Sequence, residues 1–164
     1  MQEGISIFEQ DFWSINDAMN RLLQGTHAKI ILLIDREGQL ITSIGDTSRI
    51  DTSSFATLSA ADFAATSQLA SLIGEKEFST LFHQGEKENL YVNLVADRII
   101  LAVIFDNRTT LGLVRVKTKS TVAELEKTFR GIFSKVRKDA EPRKAIDDDF
   151  TRMAEEEIDR LFGI

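Results

Sequence analysis

Apolar positions recur with two periods along this chain, and the changes of period mark out its elements. Phe12, Ile15, Met19, Leu22 and Leu23 follow three- and four-residue spacing, which predicts a helix over residues 11–25 with Gly25 at its end. Residues 29–34 (KIILLI) form a short apolar, β-branched run, as a strand does. Asp35-Arg36-Glu37-Gly38 reads as a tight turn whose glycine supplies a positive φ. Residues 39–44 then alternate polar and apolar, so the two strands predict a hairpin. Asp51-Thr52-Ser53-Ser54 offers N-caps and Gly74 a C-cap, which brackets a long second helix. Residues 78–83 and 90–95 are two further strands joined by the polar loop 84–89. Residues 98–105 are apolar nearly throughout, which predicts a central strand covered on both faces.

After Asp106-Asn107 a helical pattern begins with Leu111, Val114, Val122, Leu125, Phe129, Ile132, Phe133 and Val136. Residues 111–117 also fit a short strand, with the helix starting at Ser120-Thr121 and Glu124 as its capping box. One helix over about 109–138 is the preferred reading. The order α-β-β-α-β-β-β-α predicts an α+β fold, an α/β sandwich of one five-stranded antiparallel sheet with helices on both faces. It assigns residues 5–138 to one domain.

The second helix carries two contrasting faces. Phe55, Leu58, Ala65, Leu69, Leu72 and Ile73 fall on one side and are expected to form the core stripe. Ala56, Ala60, Ala64, Ser67 and Ser71 fall on the other, which lacks charge and long side chains. The plain reading is that alanine favours helix. The sharper reading is a protein-contact face, where a closely approaching partner needs small residues; Ala64→Arg is then expected to abolish binding.

Residues 139–149 hold the only proline, Pro142, among many charges and predict a linker. Beyond it, residues 150–164 form an amphipathic segment: Ile146, Phe150, Met153, Ile158, Leu161 and Phe162 share one rough stripe among acids. A helix of about 16 residues is marginal alone. Its apolar side chains need a surface, either on their own domain or in a partner's groove.

Composition removes several functions. With 20 basic and 26 acidic residues the net charge is −6, which argues against nucleic-acid binding. The absence of cysteine excludes disulfides and thiolate chemistry. No apolar run reaches the roughly 18 residues of a membrane span, and residues 1–11 lack a basic leader, so a cytoplasmic protein is expected. Gly38, Gly45, Gly74, Gly85 and Gly112 are isolated and make no phosphate loop. His27 and His83 have no metal-ligand spacing, and Asp147-Asp148-Asp149 lacks the pattern of a calcium loop. No catalytic residue, metal or cofactor is predicted. Arg98, Arg108 and Arg115 invite comparison with an inserted arginine finger. Each is read instead as structural: a strand start, a turn residue and a position in an apolar stretch.

The order of elements resembles the roadblock (dynein light chain 7, LC7) family. The resemblance is carried by Ala28-Lys29, Gly38-Gln39-Leu40-Ile41, Ile50-Asp51-Thr52, Leu72-Ile73-Gly74-Glu75, Glu77-Phe78 and Phe82-His83. Most specific are Val103-Ile104-Phe105-Asp106-Asn107-Arg108-Thr109 and Leu111-Gly112-Leu113-Val114-Arg115. Ile158-Asp159 and Leu161-Phe162 add to it. Within the family the chain is similar to bacterial regulators of cell polarity and motility that act on an MglA-like small Ras-family GTPase. This implies a homodimer binding one GTPase and activating it without an inserted arginine, by rearranging the GTPase's own Arg and Gln. It implies a GTPase contact on the second helix, around Ala60, Ala64 and Gln68, with Gln68 larger than the family's residue there. It also implies docking of Phe150, Ile158, Leu161 and Phe162 on the GTPase, and concentration of the protein at a cell pole.

Overall fold

The computed structural model describes the backbone of residues 2–162 and the side chains of residues 9–137 and 152–161. Its elements are α1 (Gln2–Thr26), β1 (Ile30–Asp35), β2 (Leu40–Gly45), α2 (Thr52–Leu72), β3 (Thr80–Gln84), β4 (Asn89–Val95), β5 (Ile99–Phe105) and α3 (Leu111–Phe162). The five strands form one antiparallel sheet in the order β2-β1-β5-β4-β3. The expected α+β architecture is therefore the observed one.

β5 sits at the centre of the sheet and is buried along nearly its whole length, because both faces are covered. Ile100 and Ala102 pack with Ile30, Leu32, Ile34 and Val92 beneath Ala56, Ala60 and Phe63 of α2. The alternate residues Leu101, Val103 and Phe105 point to the opposite side. There α1 buries Ile15, Met19 and Leu22, and α3 buries Val114, Thr118, Thr121 and Leu125 at heptad-like spacing. Arg21 and Glu124 join these two helices by an ion pair.

Local chemistry explains the boundaries. In the β1–β2 turn, the Asp35 carboxylate accepts from the backbone N–H of Glu37 (3.0 Å) and Gln39 (2.9 Å), and Gly38 adopts φ +92°. Asp51 caps α2 by accepting from the Ser54 N–H at 3.1 Å and its hydroxyl at 2.8 Å. At the other end Gly74 takes φ +83°, and the N–H of Glu75 reaches back to the Ala70 carbonyl at 2.9 Å. α1 does not end at Gly25. Thr26 continues it, bonding its hydroxyl to the Leu22 carbonyl (2.7 Å), and His27 ends it in the left-handed region at φ +57°. The alternative of a strand at 111–117 fails because Thr110 caps α3 there, its hydroxyl accepting from Leu113 N–H at 3.2 Å.

The chain divides into two compact units, Met1–Thr128 and Phe129–Ile164. The stretch 139–149, expected as an irregular linker, lies within the bounds of α3. Around Pro142 the sequence is rich in Arg, Lys, Glu and Ala, which favour helix as readily as they favour a solvated linker. In the second unit Phe129 and Phe133 are in ring contact, with centroids 5.9 Å apart. No helix among the described residues is long and apolar enough to cross a membrane.

Candidate protein-interaction face

α2 presents to the sheet the face expected to meet a partner. Ala56 is 0% and Ala60 8% exposed, and both pack in the core around Phe63. The reason is close approach. A Cβ built on Gly38 would lie 3.1 Å from Thr57 Cα and 3.6 Å from Ala60 Cβ. Only small side chains fit where the helix rides so near the β1–β2 turn. Ala56 and Ala60 are thus removed from the expected contact set.

Ser67 is also engaged internally. Its hydroxyl donates to the Phe63 carbonyl (3.0 Å) and to Glu77 (3.1 Å). Glu77 in turn pairs with Arg36, whose guanidinium lies 5.9 Å over the Phe63 ring and donates to the Asp97 carbonyl at 2.8 Å. This network ties α2 to the two sheet turns. Ala64, Gln68 and Ser71 are exposed, so three of the six expected positions remain on the surface.

The expected core stripe is the exposed one. Leu58, Leu69 and Leu72 are 69%, 57% and 82% exposed, and Ile73 and Ala65 are exposed beside them. Only Phe55 of that stripe packs against the core. Leu58, Ala61, Ala65, Leu69 and Leu72 repeat at near-heptad spacing and carry no charge. Adjoining them, the side chain of Asp62 meets His83 of β3, with Oδ2 and Nε2 2.9 Å apart. β3 is an edge strand, so its outer backbone groups have no strand partner in the sheet. The Asp62–His83 contact joins the leucine-bearing face of α2 to the strand edge.

The arginine expectations fare differently. Arg108 is a turn residue: its N–H donates to Asp106 Oδ1 at 3.0 Å, and its Nε donates to both carboxylate oxygens at 3.1 and 3.2 Å. The hydrogen bonds from Arg108, side chain foremost, hold the Asp106 carboxyl below the usual aspartate range. Arg98 follows the two-residue β4–β5 turn, where its N–H closes on the Val95 carbonyl at 3.2 Å. Among the described residues, no group of three His, Asp or Glu side chains is arranged to hold a metal. In the second unit Met153, Ile158 and Leu161 are exposed. The side chains of Phe150 and Phe162 lie outside the described residues.

A small antiparallel sheet of this order, with one helix on one face and two on the other, defines a class of α/β sandwich domain. Residues 15–105 match the Roadblock/LC7 domain model, and the chain belongs to that family. It is similar to MglB of Myxococcus xanthus, with 49% identity over 73% of this chain and 90% of that one, at a TM-score of 0.71. The gliding protein MglB of Thermus thermophilus shares 30% identity over 72% of this chain and 90% of its own, at 0.68. An MglB structure described as having a tetrameric arrangement shares 31% identity, covering 72% of this chain and 89% of that one, at 0.67. Among curated proteins, none matches the chain.

Proposed function

We propose that this protein is a GTPase-activating regulator of an MglA-like small GTPase, acting as a homodimer that binds one GTPase. The observation that carries this reading is the 49% identity to MglB across 90% of that chain. The protein supplies no catalytic group of its own; it holds the GTPase in the arrangement that brings the GTPase's Arg and Gln to the nucleotide.

The two exposed strips of α2 have different tasks. Leu58, Leu69 and Leu72, beside the open β3 edge, receive a second copy of the chain; exposed leucines next to a strand edge suit self-pairing. Ala64, Gln68 and Ser71, on the adjoining strip, meet the GTPase. The exposed apolar side chains Met153, Ile158 and Leu161, with Phe150 and Phe162, dock on the GTPase away from its nucleotide and tune affinity or exchange.

GTP turnover by the cognate GTPase, measured with increasing amounts of this protein, tests the reading. Acceleration that saturates at two chains per GTPase is expected. Binding without acceleration makes the protein an adaptor, and no binding removes the GTPase partner. Deleting residues 146–164 is expected to leave the dimer folded while weakening GTPase binding; loss of folding would assign the segment to the domain's own structure.

A further inference from the structure

Four basic side chains distant in sequence line one groove at the end of the sheet. Lys29 precedes β1, Arg49 lies between β2 and α2, His83 is on β3 and Arg108 is in the β5–α3 turn. The groove measures about 900 Å³, within the range of sites for small ligands. Its floor is apolar, formed by Ile30, Ile50, Phe55, Leu90 and Ile104.

The charges on its rim are unevenly committed. Lys29 pairs with Glu88, and His83 meets Asp62. Asp46, the other acid of the rim, accepts from the Ser48 hydroxyl at 2.6 Å and its N–H at 3.1 Å. Those bonds, with weaker attraction from Arg49 and Lys29, hold its carboxyl below the usual range. Arg108 spends its Nε on Asp106, which leaves both Nη groups of the fork without a hydrogen bond among the described residues. The Arg49 side chain likewise has no hydrogen bond there. A guanidinium with its fork open is a two-pronged donor for phosphate or carboxylate.

We propose that this groove binds a small amphipathic organic anion. Its phosphate or carboxylate head is clamped by Arg49 and Arg108, and its apolar body covers Ile50, Phe55 and Leu90. The chain as a whole carries −6, so an anion is drawn to this point by local geometry and not by the overall field. The groove shares His83 and Gln84 with β3, but neither arginine belongs to α2 or β3, and the proposal is independent of the GTPase reading.

Titration calorimetry on the full chain with naphthyl phosphate tests it, with naphthol and inorganic phosphate as half-ligands. Saturable binding at one site per chain is expected, with each half-ligand at least about tenfold weaker. The paired substitution Arg49→Ala and Arg108→Ala is expected to lower affinity by more than about tenfold, whereas Lys119→Ala, exposed on α3, leaves it unchanged. Circular dichroism checks the fold of each variant; if the pair fails to fold, Arg49→Gln and Arg108→Gln are each read singly. Absence of saturable binding at millimolar probe overturns the proposal. So does equal binding of naphthol, or undiminished affinity in the folded arginine variants.

Discussion

The two long faces of α2 are both rich in apolar residues, yet one is core and the other surface. The buried face is built of Ala56, Ser59, Ala60, Phe63 and Ala70, and the exposed one carries Leu58, Leu69 and Leu72. Hydrophobicity alone would have chosen the leucines. What decides is distance. The helix lies so close to Gly38 that its inner face there is alanine, with Phe63 packed into the core one turn on. The larger residues are left outside, available to another molecule.

The strongest way to break this comparison is to place one long charged side chain on each face. Ala60→Arg forces a guanidinium into the sheet interface and is expected to cost more than about 4 kcal/mol, enough to unfold the chain in thermal melts. Ala64→Arg, one turn on and exposed, is expected to leave the melting temperature nearly unchanged while abolishing GTPase binding. Equal melting of the two variants would refute the assignment of faces. Phe63→Ala comes next, at about 3–5 kcal/mol in denaturant unfolding, because it empties a buried site that its neighbours cannot refill. Leu69→Asp is expected to change the stability of the single chain by no more than about 0.5 kcal/mol. Its effect appears in sedimentation, as loss of self-association.

The smallest effect concerns the cap that starts the helix. Bonds from Ser54, side chain before backbone, hold the Asp51 carboxyl below its ordinary range. A carboxyl depressed in the folded state contributes stability above the unfolded value of about 3.9, and that contribution is lost as pH falls through the folded value. Asp51→Asn keeps an acceptor for Ser54 and no longer titrates, so its acid unfolding curve should be shallower than that of the parent. Identical curves would remove the cap from the acid response.

The sheet was legible in the sequence because its strands differ in how many faces they bury. β5 is apolar at every position from Ile99 to Phe105 and sits at the centre; β2 alternates and sits at an edge. The caps of α2 were legible too, since Asp51 and Gly74 act through local bonds that need no knowledge of the rest of the fold. The orientation of α2 was not. Its two stripes differ in size and not in polarity, and the deciding contact is with Gly38, across the β1–β2 turn. Phe63, set three residues after Ala60, was the one signal in the sequence that pointed to the small-residue face as the core. That Arg49 and Arg108 line one groove was equally hidden, because the pairing of β1 with β5 is what brings their loops to the same end of the sheet. The extent of α3 escaped for a different reason: a charged stretch with one proline reads alike as linker and as exposed helix.

The central claim is that the leucine face of α2, with the β3 edge, receives a second copy of the chain. Light scattering coupled to gel filtration tests it most directly, comparing the parent with Leu69→Asp. The parent is expected at twice the chain mass of 18.4 kDa and the variant at that mass. A parent that elutes at the mass of one chain, or a variant that keeps the doubled mass, would contradict it.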